Sequence, residues 1–351
     1  MKKIYQAGST LTQREQKVLR AVILDYVRAA KPVSSRYIQQ YNIPQVSSAT
    51  IRNTLHRLEE MGYLVQPHTS AGRIPADSGY RYYVDNLIGS AIIQQRWLNL
   101  FRKELKAVTF DLNQIMDKTA LLLSKLTEQI GIFIVPSFGQ EILQKIELVQ
   151  IGSNRILIIL ETSSKVVKTV MLEVETEIRE SRLPLIQSLL NERLCGIALK
   201  EIIDSIAVRF QDLNEYAIIN VLIHKAPVIF DLTHPINVKL SGTSFLMQKP
   251  DFSDLSRLSQ FVSQLEDGTI IAKIVEHHHA DCGVTISIGS ENPEEELQEF
   301  SVITKGYWIG KNNGTLAVVG PKRMDYQKSI SVLNNIAEAV TQIFETNRSK
   351  D

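Results

Sequence analysis

From residue 12 the apolar positions recur with a helical period. Val18, Leu19, Val22, Ile23, Tyr26 and Val27 share one face of a helix that opens at Thr12, with Glu15 three residues on in capping-box spacing, and stops at Lys31-Pro32. A second, short helix follows Ser34, with Tyr37, Ile38 and Tyr41 predicted inward, and Asn42 to Val46 forms a turn. The third runs over residues 47–62. At about 100° per residue, Ile51, Leu55 and Leu58 fall in one narrow stripe, while Ala49, Arg52, Asn53, His56 and Arg57 face away from it. Ser47 stands where an N-cap belongs and Gly62 where a helix stops, and residues 63–75 then read as a compact hairpin.

Beyond the hairpin another helix starts at Asp77. Tyr80, Val84 and Leu87 share one side of it, a spacing that marks aromatic packing rather than base stacking, and it leads through Trp97 and Leu98 into an amphipathic segment, residues 94–130. The pattern then turns to strands: 130–135, 143–151, 155–161 and 165–174, joined by short turns such as Gly152-Ser153-Asn154, predict one antiparallel sheet. From 182 to 226 the period is helical again, carried by Leu189, Leu190, Leu194 and Leu199 through Ile206, with breaks at Pro184 and Gly196. Strands return at 283–288, 300–304, 306–309 and 315–319, with Asn312-Asn313-Gly314 as the tight turn. A final helix from Asp325 to Phe344 turns Ile330, Leu333, Ile336, Val340 and Ile343 inward. Strands, then helices, then strands imply an insertion.

The exposed side of the third helix carries the chemistry. Arg52 and Arg57 offer guanidiniums and Asn53 an amide, groups suited to guanine O6/N7, adenine N6/N7 and phosphate. Small Ser48, Ala49 and Thr50 let the helix start approach base edges closely. Three helices and a hairpin in this order predict a winged helix-turn-helix that binds DNA. Arg52, Asn53 and His56 are expected to read bases, and Arg57 to hold the backbone. The hairpin tip, His68, Thr69, Ser70, Ala71 and Gly72, suits close approach to DNA with Arg73 entering a narrow minor groove; an ordinary polar hairpin is the alternative. Charge agrees: residues 1–90 hold 12 Lys and Arg against 6 Asp and Glu, the remainder 27 against 32.

At 351 residues and 44% hydrophobic the chain can bury more than one core. Its 2 cysteines give no disulfide framework, and no apolar run approaches a membrane span or a signal peptide, so a cytoplasmic protein without membrane contact is expected, at the nucleoid when bound to DNA. His277, His278 and His279 with Asp281 and Cys282 are metal-ligand types, but consecutive helical residues point about 100° apart and do not converge. Gly306, Gly310, Gly314 and Gly320 lack phosphate-loop spacing, and Glu294, Glu295 and Glu296 read as a helix start rather than as catalytic carboxylates. No catalytic residue, cofactor or metal is therefore expected. A metal hydrolase around His277 to Cys282 is the weakest alternative.

Several stretches match a known pattern: Ser47-Ser48-Ala49-Thr50-Ile51-Arg52-Asn53, Leu58 to Leu64, Gln66 to Pro75 and Gly79-Tyr80-Arg81-Tyr82-Tyr83-Val84 in front; Pro250 to Leu255, Ile288-Gly289-Ser290-Glu291-Asn292 and Gly320-Pro321-Lys322-Arg323 to Tyr326 behind. In these the chain resembles the HrcA heat-inducible transcription repressors over nearly its whole length. It departs at Ser34, Thr54 and Ala76, where the family usually has Gly, Asp and Thr. The resemblance implies an α+β multidomain protein with an N-terminal winged helix-turn-helix and a GAF-like α/β domain carrying an inserted dimerising domain. The corresponding divisions are residues 1–90, 91–175 with a linker helix, 176–255 as the insertion with Leu189, Leu190 and Leu194 at the dimer contact, and 256–351. It implies a homodimer that binds double-stranded DNA at an inverted-repeat operator upstream of chaperone operons and is kept active by the chaperonin GroEL. A regulator of the same class whose GAF-like domain senses a small molecule is the alternative.

Overall fold

The computed structural model describes residues 11–68, 71–89, 112–136, 138–174, 182–213, 217–231, 238–252, 255–266, 268–277 and 283–345, a mixed α/β multidomain chain. The N-terminal unit comprises α1 (Gln13–Ala29), α2 (Ser35–Tyr41), α3 (Ser48–Glu60), a two-stranded ladder of β1 (Leu64–Val65) and β2 (Ile74–Pro75), and α4 (Asp77–Asn86). The Thr12 backbone N–H donates to the Glu15 carboxyl at 2.7 Å while the Thr12 hydroxyl accepts from the Glu15 N–H, the reciprocal cap that the sequence predicts. Val18, Leu19, Val22, Ile23, Ile38, Ile51 and Leu58 meet in a core closed to solvent. In α2 only Ile38 turns inward as predicted. Tyr37 and Tyr41 stand exposed with ring centroids 4.7 Å apart, because Ser35 takes the buried side, its hydroxyl 3.2 Å from that of Ser48.

The body is built around a five-stranded antiparallel sheet in the order β7-β3-β10-β9-β8, with β3 (Ile130–Ile134), β7 (Val238–Ser241), β8 (Val284–Ile288), β9 (Phe300–Ile309) and β10 (Asn312–Pro321). Both faces are covered. On one, Phe133, Ile303, Leu316 and Val318 meet α5 (Leu112–Thr127) and α13 (Tyr326–Glu345); on the other, Ile130, Ile132, Val302 and Val319 meet α11 (Leu255–Glu266) and α12 (Thr269–His277). Between β7 and α11 lies the short α10 (Thr243–Met247).

The strands of the first β-rich block do not form one sheet. β4 (Leu143–Gln150), β5 (Arg155–Thr162) and β6 (Val167–Glu173) make a separate three-stranded sheet, whereas β3 joins the strands near the C-terminus. Burial accounts for the division. β3 is buried at every position, as a strand covered on both faces must be, while β5 alternates buried and partly exposed positions as a one-sided sheet does. Four helices follow β6: α6 (Leu183–Leu194), α7 (Leu199–Arg209), α8 (Ala217–His224) and α9 (Ala226–Phe230). The side-chain amides of α6 satisfy the open edge of β4: Ile146 N–H donates to Asn191 Oδ1 at 2.9 Å, Asn191 Nδ2 returns a bond to the Ile146 carbonyl at 2.8 Å, and Leu148 N–H donates to Gln187 Oε1 at 2.8 Å.

The second hairpin differs from expectation in its turn. Residues Asn312 to Gly314 belong to β10, and the loop is Gly310-Lys311, with Gly310 at φ 62° in the position that a two-residue Gly-X loop demands. Gly314 has another task. It pairs with Tyr307, and a Cβ there would stand 2.3 Å from the Tyr307 ring, which lies fully buried with its hydroxyl donating to the Ile134 carbonyl.

A buried carboxyl joins the two sheets. Glu141 accepts from the Ser164 hydroxyl at 2.7 Å, the Ser164 N–H at 3.1 Å, the Ser163 hydroxyl at 3.0 Å and Asn312 Nδ2 at 2.6 Å. Two of its partners' segments, the β5–β6 turn and the β9–β10 hairpin, belong to different sheets. The Glu141→Ala variant leaves the buried Ser164 hydroxyl and N–H without this acceptor and removes the tie to Asn312, and should cost about 2 to 4 kcal/mol in denaturant unfolding. A loss below about 0.5 kcal/mol, the level of an ordinary surface substitution, would refute the joining role.

Candidate nucleic-acid interface

The third helix presents its polar side to solvent from a fixed base. Ser47 caps it, its hydroxyl accepting from the Thr50 N–H at 3.1 Å and lying 2.8 Å from the Thr50 hydroxyl, and Ile51, Leu55 and Leu58 bury the opposite stripe against the α1 core. Ser48 and Thr50 are half-buried at the helix start, and Thr54 is buried with its hydroxyl on the Thr50 carbonyl. Arg52 and Asn53 are exposed, and among the described residues Arg52 has no ion-pair partner. His56 is exposed with Nδ1 3.3 Å from Glu60 Oε1. Arg57 is exposed as well, but its Nε lies 2.9 Å from Glu15, so the end of α3 is tied back to the start of α1.

Two groups of predicted residues sit differently. Arg73 does not reach outward: its guanidinium lies 2.8 Å from Glu59 with the side chain 15% exposed, and its backbone exchanges hydrogen bonds with Val33 in both directions. An arginine paired with a carboxylate of α3 holds the hairpin against that helix and is not placed to enter a minor groove. His68 is exposed, and Thr69 and Ser70 lie outside the described residues. On the insertion, Leu190 and Leu194 are buried in the protomer's own core and offer no free surface to another chain, whereas Leu189 is partly buried.

A feature missed in the sequence lies beside α3. Arg14, Lys17 and Gln45 line a cleft shared with Thr50 and Asn53. The helical period places Arg14 and Lys17 on the outer face of α1, but which part of that face borders α3 is decided by packing between the helices.

The N-terminal unit is seated on the body through α4. Arg81 Nε donates to Glu291 at 2.8 Å and its Nη2 donates to the Ile286 carbonyl at 2.7 Å; the bond to Glu291, above all, raises the Arg81 pKa further against the opposing effect of burial. Ser290 N–H donates to Asp77 at 2.9 Å, and Lys322 lies 3.0 Å from the same carboxyl. Arg323 bridges Asp251 at 2.7 Å and the Val27 carbonyl at 2.6 Å.

The HrcA protein C-terminal domain model matches residues 113–330. Heat-inducible transcription repressors HrcA of Chlorobium chlorochromatii and Natranaerobius thermophilus are 33% and 32% identical, over 94% and 96% of this chain and 97% and 98% of their own. The chain belongs to the HrcA family. HrcA proteins are transcriptional repressors and not enzymes. A solved structure of a hypothetical protein, at 22% identity and a TM-score of 0.74 over 96% of this chain and 99% of the other, shares the fold. Among the described residues no helix is long and apolar enough to cross a membrane, and no group of three His, Cys, Asp or Glu side chains could hold an ion; His278 to Cys282 lie outside them.

Beside α3, Glu15 is the group whose titration matters. Burial alone would raise its carboxyl, but hydrogen bonds from Thr12 and the Arg57 charge outweigh it and hold the group below its ordinary value of 4.5. A carboxyl lowered on folding adds stability that is fully present above its ordinary value and disappears as pH falls through the lowered one. Glu15→Gln should therefore melt below the wild type at neutral pH and converge with it as pH falls through the lowered Glu15 value into acid. Thermal melts across the acid range measure this, and a gap that stays constant into acid would show that the charge contributes nothing.

Proposed function

We propose that this HrcA-family chain is a heat-inducible repressor that reads DNA through α3 of a winged helix-turn-helix made by α1–α3 and the β1–β2 hairpin. The observation that carries the reading is the solvent-facing side of α3, where Arg52 and Asn53 are exposed on a helix whose other side is locked in the core. Arg52, Asn53 and His56 face bases, with Ser48 and Thr50 at the close-approach end. Arg57 and His68 lie nearer the backbone. Thr69 and Ser70 would complete the wing, and Arg73 supports it from within.

The five-stranded sheet with α5 and α11–α13 is the GAF-like domain of this reading, and the segment from Leu143 to Asp231, with its own sheet, is the insertion. β7 then belongs with the GAF-like domain, because it pairs with β3. The homodimer contact falls on the outer face of β4-β5-β6, where Val149, Leu157 and Met171 pair across the three strands and Val149 and Met171 are 44% and 57% exposed. A second copy covering this face relates two reading helices by a two-fold axis, as an inverted-repeat operator requires. Following the family, the operator lies upstream of chaperone operons and GroEL keeps the repressor active, in the cytoplasm and at the nucleoid when DNA is bound.

Three experiments test the reading. Footprinting on the protein's own upstream region, with and without the chaperonin, should reveal a protected inverted repeat. Arg52→Ala or Asn53→Ala should lose about 1 to 3 kcal/mol on that site and relax its sequence preference. Equal losses on the site and on random DNA would defeat base reading by α3. For the dimer, Val149→Glu with Met171→Glu should yield folded monomers by sedimentation and lower operator affinity; a full dimer in that double variant removes the sheet-face contact.

A further inference from the structure

We infer that the cleft between α1 and α3 is a seat for one DNA phosphate strand, with Arg14 and Lys17 as its cationic wall and Gln45 as a neutral donor. The inference rests on the proposed DNA reading by α3 and adds residues to it.

The width of the major groove supplies the argument. At about 12 Å it is filled by one helix with side chains, itself about 10 to 12 Å across, so whatever stands directly beside a reading helix meets a sugar-phosphate strand. Here the neighbour is the N-terminal end of α1. Arg14 and Lys17 are three residues apart, share one face of α1, are exposed, and line the same cleft as Thr50 and Asn53 of α3. Among the described residues neither has an ion-pair partner. The one carboxyl in the cleft is already taken, since Glu15 is buried and held by Thr12 and Arg57. Two unpaired cations therefore face the cleft without an opposing free charge. A guanidinium grips phosphate oxygens through two parallel donors and an ammonium acts as a point charge, so both suit a phosphodiester. Base edges lie farther into the groove, in reach of Arg52 and Asn53 from α3 but not of side chains on α1.

Binding to phosphates and binding to bases leave different signatures. The full-length protein is titrated by fluorescence anisotropy with its footprinted duplex and with a random duplex of equal length, across a series of salt concentrations. The Arg14→Gln, Lys17→Gln double variant should weaken both complexes by the same factor and keep the preference between them. The slope of log affinity against log salt should become shallower by about 1.8 per reading unit, about 0.9 for each phosphate that is no longer neutralised. Lys311→Gln, an exposed cation in the β9–β10 loop, should leave the slope unchanged. An unchanged slope in the double variant overturns the phosphate seat and leaves base reading by α3 standing, provided Arg52→Ala still relaxes sequence preference. A selective loss on the footprinted duplex also overturns it, because the residues would then be reading bases. If the wild type shows no preference between the duplexes, base reading by α3 falls as well.

Discussion

The socket around Arg81 fixes how the three-helix unit, and with it α3, sits on the large sheet. Its guanidinium is held by Glu291 and the Ile286 carbonyl, and one turn earlier Asp77 takes the Ser290 N–H and Lys322, so α4 is fixed to the β8 end of the large sheet at two heights. Tyr80, between them, is buried against the Tyr326 ring with centroids 5.7 Å apart. Charged groups at the rim confer direction and the aromatic contact excludes water from the middle. The approach is close enough to constrain the backbone: Gly289 sits at φ 54°, and a Cβ there would stand 2.3 Å from Asp77. α4 in turn carries the three-helix unit, since a Cβ at Gly79 would stand 2.1 Å from the Tyr63 carbonyl directly after α3. Gly289, α4 and the segment after α3 therefore stand in one line of close contacts.

This junction gives a physical meaning to the motifs by which the chain resembles its family. Gly79-Tyr80-Arg81, Ile288 to Asn292 and Lys322-Arg323 are remote in sequence, yet they meet here. None of them lies on the exposed face of α3. Gly289 permits the approach, Ser290 and Glu291 make the bonds, and Asn292 braces the loop from within by donating to the carbonyls of Gly289, Leu297 and Phe300. Such residues serve orientation between the units, which the proposed dimeric reader of a two-fold site would require as much as base contacts.

What the sequence makes legible is local. The Thr12–Glu15 capping box, the Ser47 cap, the Gly62 stop and the apolar stripe of α3 each depend on residues within a turn or two, and each stands in the fold. The differences arise from partners far along the chain. Asn312-Asn313-Gly314 has turn chemistry, but Tyr307 requires a glycine opposite it, so the turn moves to Gly310-Lys311. The strand pattern of 130–174 is continuous, but β3 leaves it because β10 and β7 supply backbone partners on both its edges. Arg73 reads as a free cation until Glu59 is found beside it, and Leu190 and Leu194 read as a contact surface until the protomer's own core encloses them. In α2 the apolar stripe points to the tyrosines, whereas the buried polar contact between Ser35 and Ser48 turns the helix the other way.

Operator reading by the proposed dimer depends on junctions in series: α3 on the α1 core, α4 on the large sheet, Glu141 between the sheets, and the outer face of β4-β5-β6 against a second copy. Loss of any one removes the fixed relation between two reading helices even where each unit stays folded. Because the junctions add in free energy, a destabilisation of about 1.4 kcal/mol at any one of them shifts the competent fraction tenfold in its equilibrium. Release at the last junction also uncovers Val149, Leu157 and Met171 together, an apolar face of the kind that self-associates on heating. In the proposed scheme that face is what a chaperonin would engage, and recovery of the dimer competes with every other unfolded chain for the same chaperonin. In that scheme heat would act on the operator through an interface far from it, and α3 would not need to change its own structure for repression to be lost.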